Sequence, residues 1–196
     1  MSDFELQAGD VLVNVDRKKD IWSKVKRWAM GSPYSHVFLY MGEPFIGNVN
    51  VGMARIVPML FESNGRGVSL QSLSNRYGQD VVVMRLKDND YDKKKIPHVL
   101  FEAIALASEI SAYYDYFCII KFVLPRIICE KLHLPMPLSW HRDSRQICSE
   151  AVLEIFLRAK CYLLPKNRVP LPGDFVTDTG SWLEKVWEGE LSSEVT

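Results

Sequence analysis

One cysteine, Cys148, stands where the chain could make a nucleophile. It occupies the centre of Gln-Ile-Cys-Ser-Glu (146–150), where an irregular, Pro-rich stretch changes to an amphipathic pattern. Apolar residues follow at the i+4, i+7, i+8 and i+11 positions, which predicts a helix to about Lys160 with one inward face: Val152, Ile155, Phe156 and Ala159. The thiol then lies in the first turn, where unpaired backbone N–H groups and the helix dipole favour a thiolate.

A base and a carboxylate are available on preceding strands. His36 begins a predicted strand that runs to Gly42, and Glu62 ends a predicted strand from Met53, in which Pro58 indicates an edge position or a bulge. Together with a thiol at a helix N-terminus, these are the groups of a cysteine hydrolase. Taken singly, each has a structural interpretation: a cysteine that fills the core, a histidine satisfied within the fold, and a solvated glutamate.

The remaining pattern alternates between strands and helices. It predicts a strand at Gly9–Val15, a helix from Asp20 that ends before Gly31, a hairpin turn within 47–52, a strand at Val81–Leu86, a helix entered at Pro97, a turn at Leu171–Phe175 and an amphipathic segment around Trp182, Leu183 and Val186. The inner face of the helix after Pro97 is predicted as Leu100, Ala103, Ile104, Ala107, Ile110 and Ser111. The fold class is therefore α+β, with an antiparallel sheet packed against helices.

Length and composition narrow the class of protein. A chain of 196 residues suits one domain, so residues 1–196 are predicted as a single unit. Lys+Arg and Asp+Glu are equal at 24 each, which leaves no electrostatic footprint for nucleic acid, and no nucleic-acid partner is expected. The acidic, polar N-terminus and four cysteines without paired spacing predict a cytoplasmic, reducing setting.

The segment at about 117–140 is apolar but interrupted. Charged residues and three prolines break it before it reaches the roughly 18 residues of a spanning helix. It is predicted as a hydrophobic insert or lid. Core packing is the favoured interpretation and contact with lipid is the alternative.

Several motifs in chain order resemble a known family. They are Ser-His-Val at 35–37, Leu-Phe-Glu-Ser-Asn-Gly-Arg-Gly-Val at 60–68, Tyr-Asp-Tyr-Phe at 114–117 and Ile-Cys-Ser-Glu-Ala-Val at 147–152. With Gly-Asp-Val-Leu at 9–12 and Pro-Gly-Asp-Phe at 172–175, they resemble the YiiX/YebB-like branch of the NlpC-type superfamily of papain-like cysteine hydrolases. That branch is circularly permuted, so its histidine and acidic residue precede the cysteine, as they do here.

The resemblance implies a fold and a set of roles. The fold is a circularly permuted papain-like (NlpC-like) one, with the nucleophile at a helix N-terminus. Cys148 matches the nucleophile, His36 the general base and Glu62 the group that orients the imidazole, although Asn64 or Ser63 could supply that group instead. Tyr34 and Ser149 are candidate oxyanion or substrate-binding residues. The implied function is cleavage of an amide or ester through a thioester, most simply as an amidase or peptidase on a small peptide or peptidoglycan-type substrate.

Other functions stay open on sequence alone. The same triad could serve a lipid acyl hydrolase or acyltransferase, and a protein of this fold could bind its ligand without turnover. Four potential ligands, Cys129, His133, His141 and Cys148, have the residue types of a zinc site but no recognised zinc spacing. No metal or other cofactor is therefore expected. The expected partner is a small-molecule or peptide substrate, with membrane contact a minor alternative and the oligomeric state open.

Overall fold

The computed structural model describes residues 4–17, 27, 32–48, 53–64, 67–87, 94–109, 128–129, 132, 148–164, 170–178 and 182–194. The strands are β1 (Val11–Val15), β2 (Tyr34–Gly42), β3 (Phe45–Asn48), β4 (Met53–Ile56), β5 (Met59–Asn64), β6 (Gly67–Ser72), β7 (Asp80–Leu86) and β8 (Leu183–Glu190). The helices are α1 (Ile96–Ser108), α2 (Cys148–Arg158) and the short α3 (Asp174–Thr177), and a 3-10 turn spans Leu73–Arg76. The predicted helix after Asp20, apart from helical Arg27, and most of segment 117–140 lie outside these residues.

Six of the strands form one antiparallel sheet in the order β6-β5-β2-β1-β7-β8. Each inner strand has apolar residues on both faces, so the sheet carries two cores. One face packs against α1 and α2 through residues such as Val37, Leu39 and Phe61. The other face, with Phe38, Tyr40 and Leu60, packs against the N-terminal segment, the 3-10 turn and Leu191. The predicted α+β class is confirmed.

Pro58 divides the strand that was predicted from Met53 to Glu62. β4 ends at Ile56 and pairs with β3 in a separate two-stranded sheet, while β5 begins at Met59. The prediction of one continuous strand was wrong because proline offers no N–H to a sheet ladder. Of the two expectations for Pro58, the edge position does not apply to β5, which pairs with β6 on one side and with β2 on the other. The bulge has a counterpart in the register shift between Tyr40 and Gly42, which faces Met59 at the start of β5.

The face of α1 also differs from its prediction. Its buried residues are Val99, Ala103 and Leu106, while Ile104 is 53% exposed. The predicted stripe was rotated toward Ile104 because the helix is apolar on more than one side, so periodicity alone did not select the packed face. The sequence pattern did not assign the C-terminal amphipathic segment to a helix or a strand. In the structure it is the edge strand β8, which pairs with β7 along its length.

Two turns of identical hydrogen bonding hold the ends of the fold. In the first, the Gln7 backbone N–H donates to Asp10 Oδ2 at 2.8 Å and the Asp10 N–H donates to the Gln7 carbonyl. In the second, Leu171 and Asp174 make the same two bonds. Each aspartate is buried and satisfies backbone groups of its own turn. The Gly-Asp pairs near each end of the sequence are therefore turn-forming elements that bring the chain into β1 and α3.

Candidate active site

Cys148 is the first residue of α2, and its side chain is nearly buried, with 6% exposed. The four apolar residues predicted for the inward face of this helix are all buried. Burial alone would raise the pKa of the Cys148 thiol. The charge and hydrogen bond of His36 outweigh that effect, and with backbone hydrogen bonds from Val37 and Ser149 they lower the pKa. The thiol therefore has the environment of a thiolate.

His36 lies between the thiol and a carboxylate. Its Nε2 is 3.3 Å from Glu62 Oε2, and it also makes a side-chain hydrogen bond with Cys148. Burial alone would lower the pKa of His36, but the charge and hydrogen bond of Cys148, followed by those of Glu62, raise it to about 9. The lowered pKa of the thiol and the raised pKa of the imidazole both favour the charged forms, thiolate and imidazolium.

A local irregularity in the sheet sets the position of His36. Asn14 of β1 pairs with His36, but the next pair joins Val15 to Tyr34, so Ser35 is an extra residue on β2. Such a bulge changes the direction of the side chains beside it. The Ser35 hydroxyl donates to Asn14 Oδ1 at 2.7 Å, and Asn14 Nδ2 donates to Gln79 Oε1 at 3.0 Å. The strand is thus fixed by side-chain hydrogen bonds immediately before the histidine.

Glu62 is fully buried, and its carboxylate is hydrogen-bonded on both oxygens. Asn64 Nδ2 donates to Oε1 at 2.9 Å, while Oε2 accepts from Arg76 Nε at 3.1 Å and Nη2 at 2.5 Å in addition to its contact with His36. Burial alone would raise the pKa of Glu62, but hydrogen bonds from His36, Asn64 and Arg76 and the charge of Arg76 lower it to about 2. The carboxylate stays ionised in the folded protein at any ordinary pH.

The sequence prediction missed Arg76, on the 3-10 turn. The turn follows β6, a strand that the pattern did not reveal, and no periodicity marks it. A usable signal was chemical: a glutamate that orients a catalytic imidazole has to lie inside the fold, and a buried carboxylate is almost never without a partner, which calls for a cation from elsewhere in the chain. Asn64, the alternative orienting group, contacts Glu62 in the structure. Glu62 is the group beside the imidazole.

The two candidate oxyanion residues are close in sequence to the histidine and to the cysteine, respectively. Tyr34 is the first residue of β2 and is partly exposed. A Cβ at Gly173 would lie 3.3 Å from its ring, so the glycine allows the turn before α3 to pack closely there. Ser149 is fully buried, and its hydroxyl donates to the Pro170 carbonyl at 2.7 Å. The Ser149 side chain therefore ties α2 to that turn, and its backbone N–H is the group that contacts the thiol.

The described part of the chain contains no group of three or more histidine, cysteine or acidic side chains arranged to hold a metal ion. Of the four potential zinc ligands, His133 and His141 lie outside the described residues, and Cys129 is a partly exposed free thiol. Among the described helices, none is both long and apolar enough to cross a membrane.

Comparison with solved structures shows the class of fold. The crystal structure of metalloprotein YiiX from Escherichia coli O157:H7 is similar to this chain, with a TM-score of 0.50 and 21% sequence identity. The alignment covers 80% of this chain and 67% of that one. No family model matches the sequence, and no curated protein matches it. At this identity the likeness shows the fold alone, and the fold is YiiX-like.

Because folding lowers the pKa of Glu62, the free energy of unfolding depends on pH in the acidic range. Because folding lowers its pKa from 4.5 to about 2, the carboxylate contributes stability that is present above pH 4.5 and is lost as the pH falls through 2. We expect Glu62→Gln to be less stable than wild type at pH 7 and the difference in free energy of unfolding to shrink between pH 4.5 and 2. Urea titrations at several pH values measure it, with Glu190→Gln as the control for lost surface charge. A difference that stays constant over this window would contradict the linkage.

Proposed function

We propose that the chain is a cysteine hydrolase that cleaves an amide or ester bond through Cys148, His36 and Glu62. The observation that carries the proposal is the continuous set of contacts from the buried carboxylate through the imidazole to the thiol at the start of α2. The YiiX-like fold and the order of the three residues in the chain support assignment to the permuted papain-like enzymes of the YiiX/YebB-like branch. The substrate class that we propose is a small peptide or peptidoglycan-type amide.

The chemistry follows from the ion pair. The Cys148 thiolate attacks the carbonyl carbon, a C–S bond forms and the carbonyl oxygen becomes an oxyanion. The backbone N–H of Cys148 and the Tyr34 hydroxyl are the proposed donors to that oxyanion. Collapse breaks the bond to the leaving group, which takes its proton from the His36 imidazolium. Neutral His36 then removes a proton from water, hydroxide adds to the thioester, and the acid departs as Cys148 regains its thiolate and His36 its proton.

Glu62 orients the ring rather than taking part in bond changes. Because Nε2 faces Glu62, the other ring nitrogen, Nδ1, is the one left for the thiol. A carboxylate whose two oxygens are already hydrogen-bonded has little freedom to rotate, so it fixes the plane of the imidazole. This division of roles requires Glu62 to remain unprotonated throughout the cycle, which is consistent with its low pKa.

A substrate panel tests the proposal. Wild type, Cys148→Ala and Cys129→Ser are incubated with matched small amides, peptidoglycan stem peptides and acyl esters, and acid-quenched samples are searched by mass spectrometry for an acyl group on the peptide that contains Cys148. We expect turnover and a trapped thioester in wild type and Cys129→Ser, and neither in Cys148→Ala. Preferential turnover of acyl esters of lipids would select the lipid acyl hydrolase or acyltransferase instead.

Two other results would contradict catalysis. No turnover of any substrate, with Cys148 alkylated at the rate of an ordinary thiol, would favour a binding module of the same fold. Stoichiometric zinc in the purified protein that is lost in Cys148→Ala would make Cys148 a ligand. Metal analysis belongs in the same experiment because the similar structure is that of a protein described as a metalloprotein.

A further inference from the structure

The buried charges of the site balance only when Arg76 is counted. The thiolate of Cys148 and the imidazolium of His36 offset each other, which leaves the fully buried carboxylate of Glu62 in need of a cation. Arg76, with 23% of its side chain exposed, forms an ion pair with that carboxylate. An unpaired buried carboxylate would be protonated or strongly destabilising.

The contacts of Arg76 bear on the orientation of His36 as well as on the balance of charge. Both guanidinium contacts fall on Oε2, the same oxygen that faces His36 Nε2, while Asn64 holds Oε1. The guanidinium also lies over the Phe38 ring, 5.8 Å from its centroid, and the centroids of the Phe38 and His36 rings are 5.7 Å apart. Arg76 therefore contacts two side chains that neighbour the imidazole, Glu62 and Phe38.

The turn that carries Arg76 is itself well fixed. Leu73 is fully buried, Ser72 accepts from the Ser74 backbone N–H, and the chain just after the turn pairs with Leu191 through Gly78 and Gln79. Gln79 also bonds to Asn14, which supports the bulge before His36. One segment, 73–79, is thus hydrogen-bonded to both strands that flank β2, through Arg76 to Glu62 of β5 and through Gln79 to Asn14 of β1.

We propose that Arg76 is a positioning residue: it neutralises Glu62 and fixes Oε2, so that the two side chains together orient the His36 imidazole as a unit without net charge. This inference rests on the proposed function. Paired with Arg76, the Glu62 carboxylate acts as a neutral amide would: it accepts a hydrogen bond from the imidazolium, and the pair adds no net charge. The proton on His36 is then held mainly by the thiolate, and it can be passed to the leaving group once the thiolate has been consumed.

The groups that act on this unit are few. Among the described residues, the charged side chains with the largest effect on the imidazole are Cys148 from α2 and Glu62 from β5, and Arg76 from the 3-10 turn acts through Glu62. Glu150, also buried, lies two residues after the thiol on α2. It is unchanged in every variant below, so differences among them report on Glu62 and Arg76 alone.

The test is an NMR titration of the His36 imidazole, assigned among the four histidines by its absence in His36→Ala. In Arg76→Gln one positive charge is lost, so the imidazolium holds its proton more tightly and the midpoint rises by about 0.5 to 1 pH unit. In Glu62→Gln the midpoint falls by a similar amount. In the double variant both charges are lost, and the midpoint returns to within about 0.3 pH unit of wild type.

The outcomes separate this inference from the proposed function. If Arg76→Gln titrates as wild type and the double variant titrates as Glu62→Gln, Arg76 is merely structural and the inference fails. If His36 titrates near 6.5 in wild type and is unaffected by Cys148→Ala, there is no ion pair and the proposed function itself fails. Should Arg76→Gln not fold, the double variant, which leaves no unpaired buried charge, still decides the matter against Glu62→Gln.

Discussion

We expect replacement of His36 by alanine to lower the proposed acyl turnover by about 10³-fold or more, because in the proposed mechanism it removes both the cation that stabilises the thiolate and the acid that protonates the leaving group. It also changes the pH dependence. In wild type, we expect turnover to fall as the pH rises through about 9, where the imidazolium loses its proton. The variant has no such alkaline decline, and its thiol needs a higher pH to ionise. Initial rates from pH 5 to 10 measure both effects.

His98→Ala is the matched control for this prediction. His98 lies on α1, half exposed, and its Nε2 is hydrogen-bonded to Glu102, one turn further along the helix. Its replacement should leave turnover and the alkaline decline unchanged, since its hydrogen-bonded partner, Glu102, lies on the same helix and is not one of the three proposed catalytic residues. Equal losses in both variants would indicate a general loss of folded protein, and full activity of His36→Ala would remove the histidine from the mechanism.

Replacement of Arg85 by alanine destabilises the fold by about 3 to 5 kcal/mol, the usual cost of removing one partner of a buried ion pair. Arg85 donates from Nε and Nη2 to the two oxygens of Asp10 at 2.7 Å, and Asp10 is only 1% exposed. The same guanidinium bonds the Glu5 carbonyl and lies over the Phe4 ring. Its loss therefore leaves an uncompensated carboxylate and also releases the N-terminal segment from β7.

A double-mutant cycle with Asp10→Ala separates these two effects. Because the double variant has no unpaired charge, its loss of stability should be smaller than the sum of the single losses by about 1 to 3 kcal/mol. Arg17→Ala is the control, because its ion pairs with Asp80 and Glu188 are exposed and should contribute within about 1 kcal/mol. Additive losses at Asp10 and Arg85 would show that the charges are not coupled. Urea unfolding supplies all four free energies.

These two predictions fall on residues that the sequence marked very differently. His36 could be identified in advance because chemistry restricts the base of a thiol enzyme to few residue types, and the chain has only four histidines. Arg85 could not be identified in this way. It lies on a strand that reads as apolar, and its partner is 75 positions away in the sequence. Pairing between distant charged residues depends on strand order, which no local pattern contains.

Local sequence patterns determined the elements that carry the reacting groups. The spacing of apolar residues after Cys148 placed the thiol on the inward face of a helix start, because helical periodicity is a property of neighbouring residues. Strands β1, β2 and β7 followed from β-branched and aromatic runs for the same reason. Pro58 was read as a disturbance within a strand, but its effect was larger, since it separates two strands that belong to different sheets.

Only the tertiary structure decided what surrounds those groups. It selected Glu62 as the neighbour of the imidazole, supplied Arg76 from a turn with no local signature, and committed the Ser149 hydroxyl to Pro170. The physical reason is that a buried charge is stabilised by whichever opposite charge and hydrogen-bond donors the fold brings within about 3 Å, whatever their distance along the chain. The sequence alone thus determined which residue types could react, and the packing of β2, β5 and the 3-10 turn determined how the reactive histidine is held.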